Sequence, residues 1–290
     1  MSTALCPLCG SNEHTSLLTC KDFTATGESF HVKQCSGCDL LFTFPRPSEE
    51  ELTRYYQTPA YISHSGRAKG LFDTIYLIIR RFTIRSKFKL ITEYRNGGAL
   101  LDIGCGTGSF IKYSSKTFHA VGVEPSIRAR SICEREKLEV VPNLQSLSSG
   151  SYNIITLWHV LEHLHDLSAT MTFLKNHLAD NGTIFIAVPN HESLDAQYYR
   201  QEWAAYDVPR HLWHFSKMTM TKLAVMYGFQ IKAIYPMKLD AYYVSLLSEK
   251  HRRGKHTALG ILNAIWVALH SNFNARQNQN YSSLIYVLQK

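Results

Sequence analysis

The run Ala99-Leu-Leu-Asp-Ile-Gly-Cys-Gly-Thr-Gly-Ser-Phe110 constrains this chain more than any other. Its first five residues read as a short buried strand. Gly104, Gly106 and Gly108 then allow a sharp turn, and a helix begins near Ser109. Such a turn lets backbone approach a ligand closely and aims a helix N-terminus at it, which suits a carboxylate or phosphate. Val121-Gly-Val-Glu124 ends a second strand in an acid, 20 residues after Gly104, where a carboxylate can accept both hydroxyls of a ribose.

The surrounding pattern is strand alternating with amphipathic helix. Strands are expected at Ala99–Ile103, Ala120–Glu124, Glu139–Val141, Asn153–Leu157 and Thr183–Val188, with helices near Ser126–Lys137 and Ser168–Leu178. That alternation predicts a doubly wound, parallel α/β sheet. A polar, aromatic loop follows Pro189 up to Phe215. Then come a helix at Lys217–Tyr227, a strand at Phe229–Tyr235, a mostly helical insertion at about 236–282 and a last strand at Ser283–Leu288.

Two nucleotide cofactors fit the glycine turn, a dinucleotide and S-adenosylmethionine. The dinucleotide fingerprint needs a glycine at 109, where this chain has Ser. The run resembles motif I of class I S-adenosylmethionine-dependent methyltransferases. The resemblance covers roughly Leu100–Tyr235: Glu124 with Pro125-Ser126 matches the ribose-binding acid and its neighbours, and Asn143-Leu144 the adenine contact. Trp158-His-Val-Leu-Glu-His163 matches the segment under the methionine moiety, and Asn181–Pro189 the fifth strand. It implies a seven-stranded Rossmann-like sheet with an antiparallel last strand, and methyl transfer from a sulfonium. It assigns cofactor contacts to Asp102, Gly104, Cys105, Gly106, Gly108, Glu124, Pro125, Asn143, Leu144, Trp158 and His159. The ubiquinone-biosynthesis-like branch is the nearest in kind, so a hydroxyl on a small or lipid-linked acceptor is the expected target.

Cys6-Pro-Leu-Cys9 and Cys35-Ser-Gly-Cys38 are two thiol knuckles that together can make a closed S4 site for structural zinc; a redox dithiol is the alternative. Cys20 reads as a small buried residue. The cysteines define a zinc-ribbon segment over 1–47, ended by Phe44-Pro45-Arg46-Pro47. A basic helical linker or lid over 48–96 follows, opened by a Ser48/Glu51 capping box and ended at Asn96-Gly97-Gly98. The catalytic domain then fills 97–290.

Catalytic candidates are His211 and His214, in Asp207-Val-Pro-Arg-His-Leu-Trp-His-Phe-Ser216, and His159. Either loop histidine could deprotonate an acceptor hydroxyl, or both could knit loop to helix; Ser216 is the expected cap of that helix. His159-Val-Leu-Glu-His163 also has the inverted zinc-peptidase spacing. The methyltransferase motif accounts for all of it but His159, so the peptidase is set aside. Small-RNA 2′-O-methyltransferases use Glu-x-x-Glu-His and a later His to hold a metal; here His159 replaces the first Glu.

Of the net charge of +8, the segment from His64 to Asn96 carries +6: Arg67, Lys69, Arg80, Arg81, Arg85, Lys87, Lys89 and Arg95 against Asp73 and Glu93. A lid helix with a solvated basic face is expected there, with anionic lipid or nucleic acid as alternative partners. The insertion, with Tyr242, Tyr243, Leu246, Leu247, Ile261, Ile265 and Trp266, would close the acceptor pocket or form a dimer face. Rival functions are an RNA methyltransferase, a sugar methyltransferase and a non-catalytic cofactor sensor. The apolar content of 45% supports a real core, and charged residues at 19% are too few for a disordered chain. No apolar run nears the ~20 residues of a membrane span. Met1–Cys9 lacks the marks of a secretory signal, so a reducing, cytoplasmic compartment is expected.

Overall fold

The computed structural model describes residues 5–56, 71–147 and 150–290, the side chains of 71–80 excepted. Its centre is a seven-stranded sheet. The strands are β4 (Ala99–Ile103), β5 (His119–Val123), β6 (Val140–Val141), β7 (Tyr152–Trp158), β8 (Leu178–Pro189), β10 (Gln230–Pro236) and β11 (Ser283–Gln289). Their spatial order is β10-β11-β8-β7-β4-β5-β6, and β11 runs antiparallel to both its neighbours. The strand–helix alternation predicts the parallel part of this sheet, and the antiparallel last strand is what the family resemblance implies. The central strands carry near-continuous apolar runs because helices cover both faces; Leu100, Leu101, Ile154, Ile155, Leu157, Ile184 and Ile186 are fully buried.

Short helices cover the sheet between strands: α3 (Ser109–Ser114), α4 (Ile127–Arg135) and α5 (Leu167–His177). The polar stretch read as loop after Pro189 holds a short helix, α6 (Leu194–Tyr199), started by the Ser193 side chain accepting from Ala196 N–H. Six residues are too few to display helical periodicity, so the pattern alone does not reveal it. Helix α7 (Lys217–Met226) begins at a full capping box between Ser216 and Thr219.

Before the sheet come β1 (His14–Lys21), β2 (Ser29–Cys35) and β3 (Leu41–Phe44), an antiparallel unit around the cysteines. Its fourth strand is β9 (Trp213–His214), from the acceptor loop: Leu41 pairs with His214 and Phe42 with Trp213. One hydrophobic cluster therefore runs from Leu8, Val32 and Leu41 into Leu157, Met171 and Ile186.

Between the two units lie α1 (Glu49–Tyr56), whose Ser48/Glu51 capping box is made, and α2 (Leu71–Tyr94). Helix α2 buries Ile91 and packs Phe88 edge-on against Tyr113 and Phe118. Arg81, Arg85 and Lys89 stay solvated, and Lys87 turns inward. Arg67, Lys69 and the side chain of Arg80 lie outside the described residues, as do the side chains of Leu71, Ile75, Ile78 and Ile79. The insertion is a helical pair, α8 (Asp240–Arg253) and α9 (Ala258–Asn278). No helix among the described residues is long and apolar enough to cross a membrane.

Candidate active site

The site begins where β4 ends. Asp102 is buried with its carboxylate accepting from Thr156 Oγ1 at 2.6 Å, and burial pushes its pKa up to about 7. Gly104 has φ +72°, and a Cβ there would meet Val160 Cγ2 at 2.4 Å. Gly106 has φ +55° with open space where a Cβ would point, so the turn forms a cradle only a bare backbone leaves empty. Gly108 and Cys105 complete the turn, and Cys105 is half-buried with burial holding its thiol well above the usual range.

Glu124, at the end of β5, accepts from Gly106 N–H and from Ser126 N–H, each at 2.9 Å. Arg130 Nη1 donates to the Glu124 and Pro125 carbonyls at 2.7 Å, fixing that corner. The acid thus stands against the glycine turn. Asn143 is exposed and caps a single helical turn at Leu144–Ser146, its Oδ1 accepting from Ser146 N–H, while Leu144 packs on the core.

The end of β7 supplies Trp158 and His159. Trp158 packs edge-on against Phe110 at 5.5 Å, and Lys87 Nζ lies 4.5 Å from its ring centre. Burial lowers the Lys87 pKa, while Asp240 and Asp102 favour its charge. His159 has φ +58°, strained for a residue with a side chain. Its N–H donates to Ala187 O at 2.9 Å, and its ring sits between Asp240 Oδ2 (3.0 Å from Nε2) and Glu162 Oε1 (3.4 Å from Nδ1). Burial alone would lower its pKa, but the two carboxylates outweigh it and raise it to about 9. His159 is accordingly an imidazolium at neutral pH, with both nitrogens committed.

Glu162 is wholly buried, and apart from the His159 ion pair at Oε1 neither carboxylate oxygen has a partner among the described residues. Its carboxylate lies with nitrogens of His163 and His211 inside a 4.8 Å span. His211 Nδ1 lies 2.8 Å from Ala205 O and His163 Nδ1 lies 3.1 Å from Arg210 O; each donates its N–H, which leaves both Nε2 lone pairs free. The rings meet edge-on at 4.4 Å. Such a set could take a proton or hold a divalent cation. His214 lies elsewhere. Its Nε2 donates to Thr43 Oγ1 at 3.0 Å, the Thr43 hydroxyl donates to His211 O at 2.6 Å, and burial keeps its pKa well below the usual value. It joins the acceptor loop to the cysteine-bearing sheet.

Arg210 locks that joint. It is 1% exposed and donates to Asp207 through Nε (3.0 Å) and Nη2 (2.6 Å), to Asp22 Oδ1 (3.0 Å) and to Tyr55 O (3.1 Å). Lys87, Asp240 and the Asp22–Arg210–Asp207 cluster were not singled out as site residues in the sequence. Lys87 reads as one more surface cation and Asp240 as an ordinary helix-start acid, and only packing brings them to His159.

Cys6, Cys9, Cys35 and Cys38 bring four thiols within 4.8 Å of one another, with Sγ pairs Cys6–Cys38 and Cys9–Cys35 at 3.4 Å. A tetrahedral zinc at ~2.3 Å from each sulfur needs sulfurs ~3.8 Å apart, so the cluster is compatible with a zinc ribbon. Cys20 is buried apart from them, its thiol pushed up to about 12 by burial.

The family model described as a methyltransferase domain matches residues 78–234. No curated protein matches the chain. Among solved structures, magnesium protoporphyrin IX methyltransferase from Synechocystis PCC 6803 with bound SAH is similar at TM-score 0.54 and 12% identity, covering 83% of this chain and 100% of that one. A SAM-dependent methyltransferase from Archaeoglobus fulgidus gives 0.49 and 19% identity, over 73% and 94% of the two chains. A cyclopropane synthase from Mycobacterium tuberculosis gives 0.49 and 13%, over 71% and 83%. At such identities the first of these likenesses is one of fold alone.

Proposed function

The chain belongs to the methyltransferase-domain family, and from that premise we propose that it moves a methyl group from S-adenosylmethionine to a hydroxyl of a small or lipid-linked acceptor, as in the ubiquinone-biosynthesis-like branch. The cradle between Gly106 and Glu124 carries this reading. Open space at Gly106 admits a ligand against backbone, and the Glu124 carboxylate beside it can accept from ribose hydroxyls. Asp102, an acceptor at the end of β4, and Lys87, a donor on α2, suit the amino and carboxylate groups of the amino-acid end. When bound, the sulfonium supplies an electrophilic methyl group.

The chain's own residues then orient and deprotonate the acceptor. Trp158, packed on Phe110, and the His159–Asp240 pair stand at the strand ends where the acceptor would be oriented. The Ala205 carbonyl fixes the His211 tautomer, so Nε2 takes the acceptor's hydroxyl proton, and Glu162 stabilises the imidazolium that results. The four cysteines hold a structural zinc with no open position. A second reading is favoured by Glu162 Oε2, buried without a partner among the described residues beside His163 and His211: the same triad would hold a divalent cation that binds the acceptor oxygen. Chelator-sensitive turnover restored by Mg2+ or Mn2+ would select it.

The test is where label goes when the protein is incubated with methyl-labelled S-adenosylmethionine and a fractionated cell lysate. Label in a nuclease-resistant, solvent-extractable fraction supports the proposal. Label in a nuclease-sensitive fraction makes the acceptor RNA, with Arg81, Arg85 and Lys89 as its contact; label in no fraction overturns the catalytic reading. His211→Asn should lower turnover about 100-fold or more without weakening cofactor binding. Unchanged turnover removes His211 as the base.

A further inference from the structure

Helix α9 is packed inside out. It buries its small residues, Gly260, Ala264, Ala268, Ser271 and Ala275, and turns its large ones to solvent. Leu259, Leu262, Trp266, Leu269 and Phe273 are each more than half exposed, and their spacing of three and four residues lines them along one face. A stripe of this length that none of the described residues covers marks a docking surface. A groove of about 560 Å³ runs beside it, with Leu239 and Tyr242 on its wall and Lys238 and Arg276 at its rim.

Charge decides the occupant. Helix α9 contains no Asp or Glu; Lys238 and Arg276 line the groove, and Lys255 precedes the helix. A second copy packed on this face would bring these cations together with no acid on either copy of α9 to pair. An anionic lipid surface supplies both missing partners, acyl chains for the stripe and phosphates for the rim. We propose that the exposed face of α9 seats this protein on an anionic membrane surface, its apolar side chains entering the interface without crossing it. The groove begins one residue from Asp240, which meets His159 at 3.0 Å, so docking would set the candidate active site against the lipid. The docking does not depend on the methyl acceptor being lipid-linked.

Flotation of the full chain with phosphatidylcholine vesicles, with and without phosphatidylglycerol, tests it. Binding is expected only to the anionic vesicles and should weaken as salt screens the rim. Leu262→Glu/Leu269→Glu should weaken it roughly 100-fold, about tenfold for each leucine lost from the interface. Vesicles with brominated acyl chains should quench Trp266, which is 55% exposed; Trp203 and Trp213 are buried and Trp158 is half-buried against Phe110 and Lys87, so Trp266→Phe should remove most of the quenching. That readout on the unaltered chain decides the matter even if the double variant misfolds. Three results would overturn the proposal: no binding to anionic vesicles; binding with Trp266 unquenched, which moves the contact to the basic face of α2; or a dimer in sedimentation that the double variant dissociates, with no lipid binding.

Discussion

Replacing Arg210 with Met tests the joint between the cysteine-bearing sheet and the acceptor loop. The guanidinium is 1% exposed and makes four donations, three of them to Asp22 and Asp207. Burial works against its charge, but Asp207 and Asp22 hold its pKa above the usual value. Methionine fills similar volume and leaves two carboxylates facing each other without a cation. Breaking one partner out of a buried charge cluster costs about 3–5 kcal/mol. For a chain of 290 residues that is a fall in Tm of roughly 5–8 °C at pH 7, read by circular dichroism. The pH dependence supplies a sharper check. Burial alone would raise both carboxyl pKa values, yet hydrogen bonds and Arg210 leave Asp22 and Asp207 below their ordinary values. Their contribution in the natural protein is therefore complete above the unfolded pKa of ~3.9 and drains only as pH falls through the lower folded values. Asp22 keeps its Thr24, Ala25 and Thr26 donors, but Asp207 loses the cation that chiefly opposes its burial, so its pKa rises and the variant gains stability relative to the natural protein as pH falls from 7 toward 4. Asp207→Asn added to Arg210→Met should recover part of the loss at pH 7. A fall of under about 2 °C, or a gap that widens on acidification, would refute the account of this cluster as a charge-paired lock.

Cys35→Ser should remove one equivalent of zinc by elemental analysis and expose β1–β3 to protease, since the fourth thiolate closes the site. Glu124→Gln should weaken S-adenosylmethionine binding about 10- to 100-fold in calorimetry, the worth of a charge-assisted hydrogen bond, with little change in Tm. Gly106→Ala should also weaken binding, by filling the cradle, and should cost about 1–2 kcal/mol of stability for the left-handed backbone. Asp240→Asn should lower the His159 pKa from about 9 toward its usual value, followed by NMR of the imidazole. A His159 titration unmoved by that change would mean Glu162 alone holds the proton.

Much of the fold was legible because it is written locally. The strand–glycine turn–helix at Ala99–Phe110 and the acid at Glu124 depend on spacing within one βαβ unit, and short apolar runs alternating with helical patterns mark the seven strands, β8 alone beginning five residues earlier than its run. The two cysteine knuckles were legible for the same reason, each being a turn of four residues. What the pattern could not carry is pairing across the chain. Arg210 meets Asp22 over 188 residues of separation, and Thr43 meets His214 over 171. His211 and His214 look equivalent in sequence, three residues apart beside aromatics. Only strand pairing with Phe42 and Leu41 turns one toward Glu162 and ties the other to Thr43. The left-handed backbone of His159 has no sequence signal either, since nothing in its residue type asks for it.

The strand Trp213–His214 completes a sheet whose other three strands precede it by most of the chain. On the ribosome, therefore, the cysteine-bearing segment emerges before the acceptor loop, with an open β3 edge that waits for Trp213 and His214 before its hydrogen bonds close. An unpaired edge of that kind is a site for wrong partners until the loop arrives. The same feature means the segment is not a cassette. Grafted onto another enzyme without Trp213, His214 and Arg210, it would arrive missing a strand and with Asp22 buried beside no cation.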